Sequence, residues 1–232
     1  DYEWKEHVVG GGGQNWTSID SSDDGTKIAA SAYGGYIYTS TDSGNSWTAH
    51  EGIGRKNWNT ITISSDGTKI AAAADGSYVY ASQDSGANWS ELSDVGSRRW
   101  TSLSSSADGT NLVGTTWAGY PLFFSNLGTG LSRAGIDGTT RDWLSSGMSA
   151  DGMVMAVGQA SSIWGTHNGI TVSGIFASGF SHRGTAKARV LTLSSDGNIG
   201  LSGDTTLWRS VDKGVTWQQI SITTGTWRAV AA

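Results

Sequence analysis

Basic residues stand at a recurring place in this chain. Arg55-Lys56, Arg98-Arg99, Arg141 and Arg189 lie one to three residues ahead of Trp58, Trp100, Trp143 and Val190. A guanidinium presents paired donors to carboxylate and other oxygens, and no ordinary pH removes its charge. A second set, Tyr33, Tyr36, Tyr78, Trp117, Tyr120, Trp164 and Trp208, supplies ring faces able to stack on sugars or conjugated systems. Guanidinium groups among rings, in a chain of net charge −5, suit a ligand with flat apolar surface and oxygen acceptors.

Groups suited to catalysis are sparse. The four glutamates are Glu3, Glu6, Glu51 and Glu91, and His7, His50, His167 and His182 lack metal-ligand spacing. Asp75 and Asp142 are the carboxylates able to join the basic set, and no pattern marks a pair at glycosidase separation. No Gly-rich segment follows a strand and opens a helix, so the run Gly10–Gly13 reads as a link and not as a phosphate loop. We therefore expect no catalytic residues, no metal and no certain cofactor. The negative charge argues against a general nucleic-acid binder. No apolar run reaches the 18 residues of a membrane helix. The chain starts at Asp1 without a basic-then-apolar leader, the form of a processed, secreted chain or of a trimmed one, and an extracellular place is the expectation. Asn15-Trp16-Thr17 and Asn88-Trp89-Ser90 match the glycosylation pattern, but both fall at recurring positions and chance accounts for them.

What must position the basic and aromatic sets is a repeat. Asp-Gly pairs stand at Asp24, Asp66, Asp108, Asp151 and Asp196, at intervals of 42, 42, 43 and 45 residues. Trp16, Trp58, Trp100 and Trp143 lead the first four units, Val190 leads the fifth, and Trp227 opens another. The first unit divides into four short strands, Trp16–Ser21, Lys27–Ala32, Tyr36–Ser40 and Ser46–His50, with Asp24-Gly25 turning the first into the second. Four strands in about 42 residues predict the blade of a β-propeller. The expected architecture is thus all-β, a single domain over residues 1–232, with five full blades. Tyr2–His7 and Thr226–Val230 would supply the outermost and innermost strands of a partial blade. Six positions are favoured, with five as the alternative.

Between strands three and four, Ser40 to Trp47 reads Ser-x-Asp-x-Gly-x-x-Trp, and Ser82 to Trp89 and Ser210 to Trp217 repeat it. This resembles the Asp-box, or BNR, repeat of sialidase-type propellers. The resemblance implies structural roles for Asp42, Gly44, Trp47, Asp84, Gly86, Trp89, Asp212, Gly214 and Trp217: the Asp caps its turn, the Gly is left-handed, and the Trp packs between blades. Units three and four depart from the pattern at Ser125–Leu131 and Gly165–Val172.

The resemblance also implies that sialidase chemistry would need three arginines on one carboxylate and a Tyr–Glu pair, and no such pair is evident from the repeat positions. Alternating strand direction puts the Asp-Gly turns and Asp-boxes on one face and the basic links on the other. The leading reading is a non-enzymatic binding propeller that takes a glycan or an extended apolar small molecule. Tyr36, Tyr78 and Tyr120 would stack sugars. Pro121-Leu122-Phe123-Phe124, Ile163-Trp164, Ile175-Phe176 and Phe180 would offer an apolar surface to a pigment such as a carotenoid, or to a dimer partner, homo- or hetero-. The competing readings are an assembly scaffold, similar to the Asp-box propellers that help build photosynthetic complexes, and, least favoured, a sialidase-type glycosidase.

Overall fold

The computed structural model describes residues 6–125, 130–134, 140–159, 162–166, 176–177, 181–184, 190–203, 207–213 and 215–220. Within them the chain is all-β. Blade one contains β1 (Trp16–Ser21), β2 (Ile28–Gly35), β3 (Ile37–Ser40) and β4 (Thr48–Ala49). Blade two contains β5 (Lys56–Ile63), β6 (Ile70–Ser77), β7 (Val79–Ser82) and β8 (Ser90–Leu92). Blade three contains β9 (Arg98–Ser105), β10 (Asn111–Thr116), β11 (Leu122–Ser125) and β12 (Gly130–Ala134). In blade four β13 (Trp143–Met148), β14 (Met155–Gln159) and β15 (Ser162–Thr166) are followed by β16 (Phe176–Ala177) and β17 (Ser181–Gly184). Blade five contains β18 (Val190–Leu193), β19 (Gly200–Gly203), β20 (Leu207–Ser210) and β21 (Gln218–Gln219). Each blade is an antiparallel meander. The short strand β16 leaves its own blade and pairs parallel with β12, so the diverged fourth unit covers the outer edge of the third.

The first strands β1, β5, β9, β13 and β18 follow one another side by side and together line one cavity of about 440 Å³. Among the described residues, the repeats therefore set their first strands around a common cavity. Closure of the ring, and the strands expected from Tyr2–His7 and Thr226–Val230, rest largely on residues outside the described set.

Alternation within the strands builds the junctions. In blade two, Trp58, Ile61, Ile63, Ile70 and Tyr80 cluster with Ala29 and Ile37 of blade one, while Ala71, Ala73 and Val79 cluster with Trp100, Leu103 and Leu112 of blade three. Period-two alternation puts successive side chains into opposite junctions. Trp58, Trp100 and Trp143 are fully buried. The indoles of Trp100 and Trp143 donate to Ser77 O (3.0 Å) and Gly119 O (3.1 Å) of the preceding blade. This packing corrects one expectation. Leu122, Phe123, Phe124 and Ile163 are interior residues of the blade junctions, not an exposed apolar surface for pigment or dimer. The corresponding part of the apolar proposal at Ile175 and Phe180 falls outside the described residues.

One turn recurs in all five blades, as Ser-x-Asp-Gly. Ser22, Ser64, Ser106, Ser149 and Ser194 each donate a hydroxyl hydrogen bond of 2.6 Å to the Asp two residues on. That Asp accepts the N–H of Thr26, Thr68, Thr110, Met153 or Asn198. The glycine takes positive φ, 67° at Gly25 and Gly67, where a side chain would be strained. A Cβ at Gly67 would also collide with the Lys27 side chain of the previous blade. The residue between Ser and Asp then links the blades. The N–H of Asp23 donates to Ser65 O (2.9 Å), Ser65 to Ala107 O, Ala107 to Ala150 O, and Ala150 to Ser195 O (each 2.7 Å).

The Ser-x-Asp-x-Gly-x-x-Trp turns are closed by hydrogen bonds to their own side chains. Asp42 accepts from Ser40 Oγ (2.8 Å) and from the N–H (2.8 Å) and hydroxyl (2.6 Å) of Ser46, and Trp47 Nε1 donates to Gly44 O (3.0 Å). Asp84 and Asp212 do the same with Asn88 and Thr216. Trp89 packs against the junction of blades one and two, and Trp217 against that of four and five. Gly214 lies outside the described residues. The amide of Asn88, an asparagine of a glycosylation pattern, is occupied by Asp84 Oδ2 at 2.7 Å.

Hydroxyl and N–H donors pull the carboxyls of Asp24, Asp42 and Asp66 down to about 2, with the Ser22, Ser46 and Ser64 side chains the largest causes. These groups are ionised in the fold at a pH where the unfolded chain binds protons. Their contribution is whole above the unfolded value of about 4 and is lost as pH falls from there to about 2. Thermal melts across that window should show a steep loss, and Asp66→Asn should lessen its slope. Replacing the buried Ser64 by Ala leaves the Lys69 N–H (2.9 Å) without its acceptor and should cost about 1–3 kcal/mol in urea unfolding. His50, between blades one and two, bonds Thr39 Oγ1 at 2.8 Å and has its basicity lowered by burial. The unfolded chain therefore takes up the proton first, and stability should decline as pH drops below about 6.5. His50→Gln should flatten that decline in melts between pH 7.5 and 5.5.

Candidate functional site

The two rims are chemically different. At the ends of strands one and three, Asp-box and Ser-x-Asp-Gly turns bond to each other through Ser43 N–H to Thr26 O (2.9 Å), Ser85 to Thr68 (2.8 Å) and Lys213 to Asn198 (3.2 Å). The basic links enter strand one at the opposite end. Glycines at positive φ, Gly54 (77°) and Gly96 (75°), turn the chain after short 3-10 segments at Glu51–Ile53 and Ser93–Val95 and deliver Arg55 and Arg98.

Backbone pairing fixes each link. The far end of β2 pairs with the start of β5, Tyr33 with Asn57 and Gly35 with Lys56. The far end of β6 pairs with the start of β9, Asp75 with Arg99 and Ser77 with Arg98. Gly119 and Arg141 exchange two backbone bonds of 3.0 Å. Lys56, Arg98, Arg99 and Arg141 are thus held by backbone pairing across the blade boundary.

Among the described residues, three arginines lie over rings. The Arg55 guanidinium carbon is 4.8 Å from the Tyr36 ring centre, Arg99 5.7 Å from Trp117, and Arg141 5.1 Å from Trp164. Such pairs are worth about 0.5–1 kcal/mol at exposed sites, enough to orient a side chain without removing it from solvent. Arg99 also bonds Asp75 through Nε at 3.2 Å, with the Arg side chain 63% exposed. An exposed ion pair stabilises by about 0.2–1 kcal/mol, so its consequence here is directional. Asp142 accepts the Ala118 N–H at 3.0 Å and fixes the loop that carries Trp117. Beside these groups is a cavity of about 300 Å³ lined by Asn59, Asp75, Arg99, Thr101, Trp117 and Leu144.

The remaining sequence-derived candidates divide. Arg98 donates Nε to Val95 O at 2.9 Å and braces its own link. Tyr78 packs on the core between blades one and two. Trp164 and Trp208 stand within β15 and β20 and not in loops, and each packs against a junction. Tyr33 is exposed at the end of β2, and Tyr120 is half-buried after the Trp117 loop. Arg189 lies outside the described residues.

Sequence reasoning missed three features. Lys56 Nζ sits 5.0 Å from the Tyr80 ring centre. Asn59 and Thr101 line the cavity from the position after the leading Trp, a register the repeat itself makes visible. It also missed a Tyr–Glu contact, the Tyr80 hydroxyl donating to Glu91 at 2.7 Å. Burial, followed by Glu91, pushes that phenol up to about 12, the opposite of an activated nucleophile.

A scan of protein-family models finds no match, and no curated protein matches the sequence. Solved structures do. The chain is similar to YCF48 from Cyanidioschyzon merolae, with a TM-score of 0.66 and 14% identity over 92% of this chain and 74% of that one. It is also similar to YCF48 bound to D1 peptide, with a TM-score of 0.61 and 17% identity over 88% of this chain and 66% of that one. At such identity the likeness speaks for the fold, and the fold it shares is that of a β-propeller protein.

Proposed function

We propose that the chain is a non-catalytic, Asp-box-type propeller whose basic and aromatic rim binds an extended peptide bearing carboxylate and aromatic side chains. The observation that carries this is the repetition, at three blade boundaries on one rim, of a guanidinium placed over a ring: Arg55 on Tyr36, Arg99 on Trp117, Arg141 on Trp164. Arginines oriented by rings keep their outer N–H groups in a fixed plane for a carboxylate. An open cavity at Arg99 gives an adjacent side chain somewhere to sit. The peptide complex of the structurally similar YCF48 supports a peptide as the class of ligand. A glycan on the tyrosines is the finer alternative, but the packing of Tyr78 speaks against three equivalent sugar platforms.

Arg99→Ala with Arg141→Ala should weaken binding of an acidic, aromatic peptide at least about tenfold, the loss of roughly 1.4 kcal/mol or more, and binding should weaken further with salt. Calorimetry at two ionic strengths measures both effects. Asp42→Ala, on the other rim, should lower the melting temperature and leave affinity unchanged. Unchanged affinity in the double arginine variant, sugar-specific retention on a glycan array, or visible absorbance of the purified protein would each overturn the peptide reading.

A further inference from the structure

The cavity beside Arg99 is framed by a pair that the repeat does not supply at the neighbouring boundaries. Between blades one and two the residues paired at this level are Tyr33 and Asn57, and between blades two and three they are Asp75 and Arg99. Their equivalents at the next boundary are Trp117 and Asp142. An acid thus faces a base at one of these three boundaries.

That pair leaves groups to spare. Arg99 Nε reaches Asp75 Oδ1 at 3.2 Å, a single contact and not a two-point fork. Among the described residues, neither Asp75 Oδ2 nor the two Nη groups of Arg99 has a hydrogen-bond partner. Donors therefore stand beside an acceptor. The floor adds a second acceptor. Asn59 Nδ2 donates to Trp100 O at 2.8 Å, and since a carbonyl only accepts, this bond fixes the orientation of the amide and leaves Oδ1 over. The Thr101 hydroxyl spends its proton on Trp143 O at 2.7 Å. Leu144 and Trp117, the latter 44% exposed, supply apolar and ring surface.

The common head groups meet this set differently. A carboxylate would reach Arg99 but lie against the charge of Asp75 and the oxygen of Asn59. An ammonium would reach the acceptors and be repelled by Arg99. An aliphatic chain would leave polar groups desolvated and unpaired, at about 1–3 kcal/mol each. A primary carboxamide carries an acceptor oxygen and a donor nitrogen side by side in one plane, and answers both.

We propose that the cavity between blades two and three is a carboxamide site, in which Arg99 donates to the amide oxygen and Asp75 accepts from the amide nitrogen, beside Trp117. Its volume of about 300 Å³ lies at the small end of ligand pockets and suits one side chain. Within the peptide function proposed above, on which this step alone rests, the site selects a glutamine or asparagine, and Asp75 determines that specificity.

Propionamide, propionate and propylammonium carry the three head groups on one short chain. Titrated into the full chain and followed by NMR at the Trp117 indole N–H, propionamide should bind at least about tenfold more tightly than either ion. Asp75→Asn removes the negative charge and should reverse the order in favour of propionate, a change that a merely structural role for Asp75 does not produce. Propionamide binding no better than the ions to the unaltered chain, or not at all, overturns the site. So does an Asp75→Asn chain that keeps the original order. In calorimetry, an acidic, aromatic peptide should lose affinity about tenfold when its seated glutamine is exchanged for glutamate, and Asp75→Asn should abolish that loss. Selectivity for propionamide without affinity for any such peptide sinks the function proposed above and leaves the carboxamide site intact. Peptide affinity indifferent to the exchange at every position overturns the assignment of the site to a peptide side chain.

Discussion

Four backbone hydrogen bonds, from Asp23 to Ser65, Ala107, Ala150 and Ser195 in succession, tie the five blades at one rim. Each needs the donor residue raised out of its turn toward the neighbour. Three groups secure that shape: a hydroxyl from the preceding Ser, a carboxylate on the following Asp, and a glycine at positive φ. The carboxylate accepts the Ser hydroxyl and then an N–H that the short turn leaves without a strand partner, and these donors, the hydroxyl first, are why its proton affinity falls. The cavity at the axis follows from the same constraint, because each turn ends a first strand, and linking successive turns sets the first strands side by side around it.

The opposite rim is tied by other means. There the second strand overruns its blade and pairs with the link into the next, so the backbone at Lys56, Arg98 and Arg99 is ordered, while the Arg99 side chain remains exposed. The division has a chemical logic. Asp-rim carboxylates are committed to their own turns and present little free acceptor capacity. The arginines over rings are oriented by them, and Arg99 is also paired with Asp75 in an exposed ion pair. Side chains on the basic rim can therefore vary without disturbing the hydrogen bonds that join the blades at the other.

Much of this was legible because the repeat carries its own alignment. The first blade was expected at Trp16–Ser21, Lys27–Ala32, Tyr36–Ser40 and Ser46–His50, and its strands fall within one or two residues of those bounds apart from a longer β2 and a shorter β4. The overrun of β2 to Gly35 was hidden because its partner belongs to another blade, and no local pattern announces pairing across a junction. The apolar run Pro121–Phe124 was misplaced for a related reason. In a blade packed on both sides, alternate residues of a strand are both interior, so loss of polar alternation marks a strand buried on two faces and not an exposed patch. Arg98 and Arg99 are adjacent in sequence yet differ in use, one bracing Val95 and one over Trp117. Only the direction of each side chain separates them.

The repeat also has polarity. Every first strand turns its large residues, Trp58 and Ile61 or Trp100 and Leu103, toward the preceding blade, and its small polar ones toward the following blade. Thr17 donates to Trp58 O (2.9 Å), Asn59 to Trp100 O (2.8 Å) and Thr101 to Trp143 O (2.7 Å), so the polar side bonds the backbone of the next apolar one. Asp20 extends this by accepting the Ile63 N–H at 2.9 Å, although burial raises its proton affinity. A series of such units has two unlike ends. Blade one shows Trp16 and Ile19, 45% and 67% exposed, where later blades are closed. In blade five, Ile199 is 38% exposed where its counterpart Val154 in blade four is 3% exposed. Polarity of the junction, more than the number of blades, thus governs which segments can extend or close the structure.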